Sequence, residues 1–158
     1  MQRFILFCLM NLHWTYKPFA ELSTEELYQI LHLRSKVFVV EQNCVYLDMD
    51  NKDPFCWHFC GWDNQTLVAY ARIIPPSVCF EEASIGRVIT HPDYRKKQLG
   101  KQLMQGAIEK TLAQFNVLQI RIGAQCYLID FYSQLGFRIA GEEYMEDGIP
   151  HIEMLLSR

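Results

Sequence analysis

A chain of 158 residues is the size of one domain with a single core. Half of its residues are apolar and 21% are charged, the balance of a globular protein rather than a disordered one. A net charge of −3 argues against a general nucleic-acid surface, so any basic cluster is a local feature suited to a small anion.

The run Phe4-Ile5-Leu6-Phe7-Cys8-Leu9-Met10 is too short to cross a bilayer, and no small-residue cleavage site follows it. It reads as an N-terminal extension over 1–10, with Met10 an alternative start, ahead of a strand at 12–16. Ser23-Thr24-Glu25-Glu26 is a capping box, serine first and glutamate three residues later. Leu27, Ile30, Leu31, Arg34 and Phe38 then share one helical face, which predicts a helix over 24–37. Val37-Phe38-Val39-Val40 has strand-like composition but continues that stripe, so it reads as the helix end. Residues 41–54 are rich in Asp and Asn and irregular.

Strands at 56–62 and 67–74 flank Asp63-Asn64-Gln65-Thr66, a hairpin with a longer loop than the tightest kind. A third antiparallel strand covers 83–90, where Val88-Ile89-Thr90 is β-branched. His91-Pro92 stops it, because proline has no N–H for a sheet ladder. A long helix follows at 98–114, with Leu99, Leu103, Ala107 and Ile108 on one face. Next come a strand at 117–123 and a short helix at 127–135 ended by Gly136, a residue suited to a left-handed cap. A strand at 137–141, a turn at Asp147-Gly148-Ile149-Pro150 and a strand at 151–156 complete the chain. The order is β-α-β-β-β-α-β-α-β-β, an α+β domain spanning 1–158. Its first sheet half is antiparallel, and the helix at 98–114 must cross over to a parallel strand at 117–123.

Cysteines at 8, 44, 56, 60, 79 and 126 have neither zinc-finger nor thioredoxin spacing. Cys56, His58 and Cys60 alternate onto one strand face, but a metal there needs further ligands from elsewhere, so no metal is expected. Unpaired cysteines suit a reducing, cytoplasmic setting.

The chemistry concentrates before the long helix. Arg95, Lys96, Lys97 and Lys101 put four cations into seven residues. Cations do not stabilise a helix N-terminus, where the macrodipole is already positive. They make sense if an anion sits on the free amides, so the loop reads as a phosphate site; a solvated basic loop is the alternative. The strand at 83–90 leads into this loop, and the helix returns the chain to 117–123 alongside. Where those two strands part, a groove opens. Tyr132 projects toward it from the short helix, unless it is only a core aromatic with a satisfied hydroxyl.

This arrangement resembles the GNAT superfamily of N-acetyltransferases. Its strand, Arg-x-x-Gly-x-Gly, helix pattern appears as Arg95-Lys96-Lys97-Gln98-Leu99-Gly100, with Gln98 in place of the first glycine. A second motif appears as Phe131-Tyr132-Ser133-Gln134-Leu135-Gly136-Phe137, and Gln125 stands where many members carry asparagine. Residues 38–44, 69–73, 85–88 and 146–151 look like the ElaA-like branch, and the resemblance covers roughly 11–156. It implies a mixed, mostly antiparallel sheet flanked by helices, with strands splayed at the centre.

The resemblance also implies direct acetyl transfer from acetyl-CoA to a primary amine of a small molecule or peptide. Val88, Ile89 and Thr90 would offer backbone groups to the thioester and pantetheine, and an N–H near Val88 would stabilise charge on the acetyl oxygen. Arg95, Lys96, Lys97, Gln98, Leu99, Gly100 and Lys101 would take the pyrophosphate, with Gln125 also on the cofactor side. Tyr132 would protonate the leaving thiolate. For the base, Glu41, His58 and His151 are candidates, and a water chain is another option. Arg34, Arg72 and Arg87 interrupt apolar elements and need partners. They either lock Glu41, Asp48 or Asp50 in place or face an anionic part of the acceptor, the structural network being favoured. The expected partners are acetyl-CoA and an amine, with no nucleic acid and no membrane; a homodimer stays open. A rival reading is a non-catalytic module that binds or senses acyl-CoA, and transfer of a bulkier acyl group is a third.

Overall fold

The computed structural model describes residues 11–95 and 98–158. The N-terminal extension and the Lys96 and Lys97 assignments lie outside the described residues. An antiparallel meander opens the fold. β1 (Leu12–Pro18), β2 (Trp57–Asp63), β3 (Thr66–Ile74) and β4 (Ala83–Thr90) pair in succession. β5 (Gln119–Gln125), β6 (Arg138–Glu146) and β7 (Ile149–Ser157) complete one sheet in the order β1-β2-β3-β4-β5-β7-β6. Every pairing is antiparallel except β4 with β5. The expected element order and sheet class are both observed.

β3 is buried from Leu67 to Ile74 because helices cover both of its faces, which explains its nearly unbroken apolar run. β7 instead buries only Ile152, Met154 and Leu156, alternating as a half-exposed strand does. α2 (Leu99–Phe115) packs Leu103, Met104, Ala107 and Ile108 onto one sheet face. α1 (Thr24–Arg34) covers the other, with Ile30 and Leu33 against Trp62, Tyr70 and Ile89. α1 starts where the capping box places it. Ser23 Oγ accepts from Glu26 N–H at 3.1 Å, and the Glu26 carboxylate accepts from Ser23 N–H at 2.8 Å.

Four elements depart from the sequence expectation. The helix of 24–37 stops as an α-helix at Arg34 and widens into a π-helical turn, Ser35–Glu41. Gln42 N–H reaches Val37 O and Cys44 N–H reaches Val39 O, each five residues back. Such wide turns favour functional positions. β5 is displaced two residues along the chain at both ends and so includes Gln125. The helix of 127–135 shrinks to α3 (Ile129–Ser133) behind a short 3₁₀ turn, and β6 runs on to Glu146.

The decisive feature is where β4 and β5 meet. Among the described residues their ladder holds only Ala83 with Ile120 and Ser84 with Arg121. Beyond that the two strands run on without pairing. The cause is visible in β4. Between the pairs Tyr70–Ile89 and Arg72–Gly86, the single residue Ala71 faces both Arg87 and Val88. That is a β-bulge, and Arg87 takes the left-handed conformation at φ 50°. A bulge bends its strand and sharpens the local twist, which carries β4 away from β5.

Candidate active site

The separation opens a groove of about 990 Å³. β4 lines one wall with Gly86, Val88, Ile89 and Thr90; β5 lines the other with Gly123 and Gln125. Backbone groups on this stretch of β4 face the gap rather than a neighbouring strand. Buried backbone groups need partners, so this edge suits a ligand that carries amides.

The groove continues toward α2. A second hollow of about 420 Å³ is lined by Thr90, Arg95, Gln98, Leu99, Gly100 and Lys101, with Phe131 and Gln134 behind them. Gln98 caps α2 at φ 56° and ψ 13°, a left-handed conformation that glycine adopts freely and other residues adopt at a cost. The loop therefore makes the turn of a glycine despite carrying glutamine. Lys101 and Gln102 donate their N–H groups to Gln98 O. Gly100 leaves room rather than forced contact, since a Cβ there would sit 3.9 Å from Phe131 and Thr90.

Tyr132 lies at the groove with 6% exposure, its ring edge-on to Phe131 and Phe137. Among the described residues its hydroxyl has no hydrogen-bond partner. Burial, with a smaller contribution from Tyr127, pushes its pKa up to about 12. The phenol therefore stays protonated, as a proton donor must.

The base candidates occupy different surroundings. His151 lines the groove, its Nδ1 2.8 Å from Ile149 O. A nitrogen that close to a carbonyl carries the proton and donates it, which leaves the Nε2 lone pair available in the neutral ring. Nε2 faces Glu146 at 4.0 Å, and Tyr144 stacks on the ring at 5.8 Å. Glu41 also lines the groove, at the end of the π-helical turn, but its carboxylate is held by Arg95 at 2.8 Å. His58 is elsewhere. It is 1% exposed, with Nδ1 2.8 Å from Tyr70 Oη and Nε2 3.2 Å from Asp53 O, and it does not line the groove. Burial lowers its pKa, so it is neutral.

The three arginines form a network with three aspartates. Arg34 reaches Asp48 at 2.7 Å and Asp53 at 2.6 Å; Arg72 reaches Asp50 at 2.7 Å twice and Asp53 at 3.1 Å; Arg87 reaches Asp48 at 2.7 Å. Arg34 is fully buried and does not line the groove, whereas Arg72 and Arg87 do. Burial alone would raise the Asp50 and Asp53 pKa values, but hydrogen bonds and charge from the arginines outweigh it and hold both below the carboxylate range. The network ties the loop after the π-helical turn to β3 and to the bulge in β4. Of the anticipated partners, Asp48 and Asp50 are in the network and Glu41 is not.

Gln125 meets Gln42 through both side-chain amides at 3.4 Å, joining the end of β5 to the end of the π-helical turn. Sequence reading missed Asp53, Tyr144 and Glu146. The last two had a signal. A turn at Asp147 and Gly148 sets the hairpin register and places Tyr144 opposite His151.

Among the described residues no helix is long and apolar enough to cross a membrane, and no three His, Cys, Asp or Glu side chains gather to hold a metal ion. Residues 21–158 match the acetyltransferase (GNAT) domain family. The chain is 43% identical to protein ElaA of Escherichia coli over 145 residues, 90% of this chain and 95% of that one. It is 40% identical to a UPF0039 protein of Synechocystis over 147 residues, 92% of this chain and 96% of that one. The crystal structure of E. coli ElaA superposes with a TM-score of 0.87 at 41% identity, covering 92% of this chain and 99% of that one. An acyl-CoA N-acyltransferase of Pseudomonas aeruginosa gives 0.88 at 37% identity, with the same coverage. The strand separation, the glycine-like turn at Gln98 and the buried tyrosine thus sit in a chain that belongs to the GNAT acetyltransferase family, alongside ElaA.

Proposed function

We propose that the protein transfers an acetyl group directly from acetyl-CoA to a primary amine of a small molecule or peptide. The observation that carries this reading is the unpaired stretch of β4 beside β5, which leads into the left-handed turn before α2. The residues there fit the co-substrate. The free edge at Val88, Ile89 and Thr90 suits pantetheine amides, as an added strand would. Arg95, Lys101 and the first amides of α2 suit the pyrophosphate, and Gln125 closes the far wall. Acetyl-CoA supplies the activated acyl group.

His151 Nε2 takes a proton from the incoming ammonium, and the freed amine nitrogen bonds to the thioester carbonyl carbon. An N–H on the open edge of β4 donates a hydrogen bond to the carbonyl oxygen as charge develops there. As the carbon–sulfur bond breaks, Tyr132 gives its phenolic proton to the sulfur. The products are an amide and free CoA thiol: the amide nitrogen gives up its second proton, which restores the Tyr132 phenol through water, and His151 returns its own to solvent.

The test is release of free thiol from acetyl-CoA in the presence of an amine panel, comparing wild type with Tyr132→Phe. Release that depends on an amine and falls about 100-fold in the variant supports transfer with Tyr132 as acid. Tight CoA binding with no release on any amine would make the protein an acyl-CoA-binding module instead.

A further inference from the structure

Arg95 belongs to two places at once. It lines the hollow at the start of α2 and also the long groove, so it stands where the two join. Its guanidinium Nη2 is bound to Glu41 Oε1 at 2.8 Å, with both side chains about 40% exposed. Glu41 lines only the groove. The pair links the loop after β4 to the end of the π-helical turn. Tyr127, on the segment after β5, also lines the groove. Burial raises the pKa of Tyr127, Arg95 opposes that and Glu41 adds to it, so both charges act on the same spot. Three segments therefore converge on the join between the hollow and the groove.

Resting on the acetyl-CoA reading, we propose that Glu41 is a positioning residue gated by the phosphates of CoA. Arg95 cannot serve a carboxylate and a pyrophosphate equally well. A pyrophosphate carries more charge and more acceptor oxygens, so it takes the guanidinium. Glu41 then stands in the groove as a free carboxylate, where an acceptor must arrive as a cation. CoA loading thus frees one negative charge, until then neutralised by Arg95, in the wall that receives the ammonium. A half-exposed ion pair is weak enough to exchange in this way.

The experiment is a double-mutant cycle read by CoA affinity. Glu41→Gln keeps the size and removes the charge, so Arg95 is released in advance. CoA should bind about two- to five-fold tighter, the range an exposed ion pair supports. Pantetheine, which lacks the phosphates, should bind unchanged. In an Arg95→Ala background the same Glu41→Gln change should have no effect on CoA. On an amine that wild type acetylates, Glu41→Gln should raise KM and leave kcat in place. Unchanged or weaker CoA binding in Glu41→Gln, or tightening that survives Arg95→Ala, overturns the gate. A fall in kcat with KM unmoved overturns it too, because Glu41 would then be the base. A folded wild type that does not bind CoA at all defeats the acetyl-CoA reading itself, a different result from any of these.

Discussion

Arg72 shows most clearly what a single residue does here. It is 2% exposed on β3, and its guanidinium is shared between Asp50 and Asp53. A buried charge is tolerable only with partners, and removing one partner strands the others. Arg72→Met keeps the length and apolar stem but leaves Asp53 with Arg34 alone and Asp50 with Arg87 at 3.6 Å. The expected loss is about 3–5 kcal/mol in urea denaturation at neutral pH; a loss below about 1 kcal/mol would mean the network is dispensable. The same residues set a pH dependence. The carboxyls are held below their unfolded value near 4, so their stabilisation is complete above it and fades as pH falls further. Wild type should weaken steeply below about pH 4, and Arg72→Met should weaken less over that interval. At this scale the sequence was partly legible. Charged residues interrupting apolar strands and helices announced a network, and two of its aspartates were foreseen. Asp53 was not, because which members of an irregular loop fold inward depends on the loop's path.

Elements were legible where periodicity is strong. α2 follows directly from 3.6-residue spacing, and the meander from apolar and β-branched runs bounded by turn signals. The π-helical turn at Ser35–Glu41 was not, since it needs only a shift of backbone partner and leaves the apolar stripe intact. Nor was the bulge in β4, because Arg87 is neither glycine nor asparagine and nothing local marks its left-handed backbone. Contacts between elements add a further test. Gly106 sits in the middle of α2, where alanine would favour the helix by about 1 kcal/mol. Yet a Cβ there would come within 2.7 Å of the Phe59 ring on β2. The steric term should win, and Gly106→Ala should destabilise by about 1–3 kcal/mol in a denaturant melt. A variant more stable than wild type would show that α2 shifts on the sheet without loss.

At the scale of the molecule, one sheet is closed everywhere except between β4 and β5. There it yields pairing energy and gains a site. The bulge at Arg87 turns β4 outward, the aspartate network anchors that bulge from below, and Gln98 turns the chain into α2 at the groove's end. The motif around Gln98 and the tyrosine before Gly136 made this site visible in the sequence, whereas the stacking of Tyr144 on His151 emerged only from the register of the β6–β7 hairpin. The central claim, that the open edge of β4 seats acyl-CoA, is tested most directly by amide hydrogen exchange with and without CoA. Exchange should slow over 86–101 and 119–132 and stay unchanged over 12–18. Protection confined to other segments, or none at saturating CoA, would contradict it.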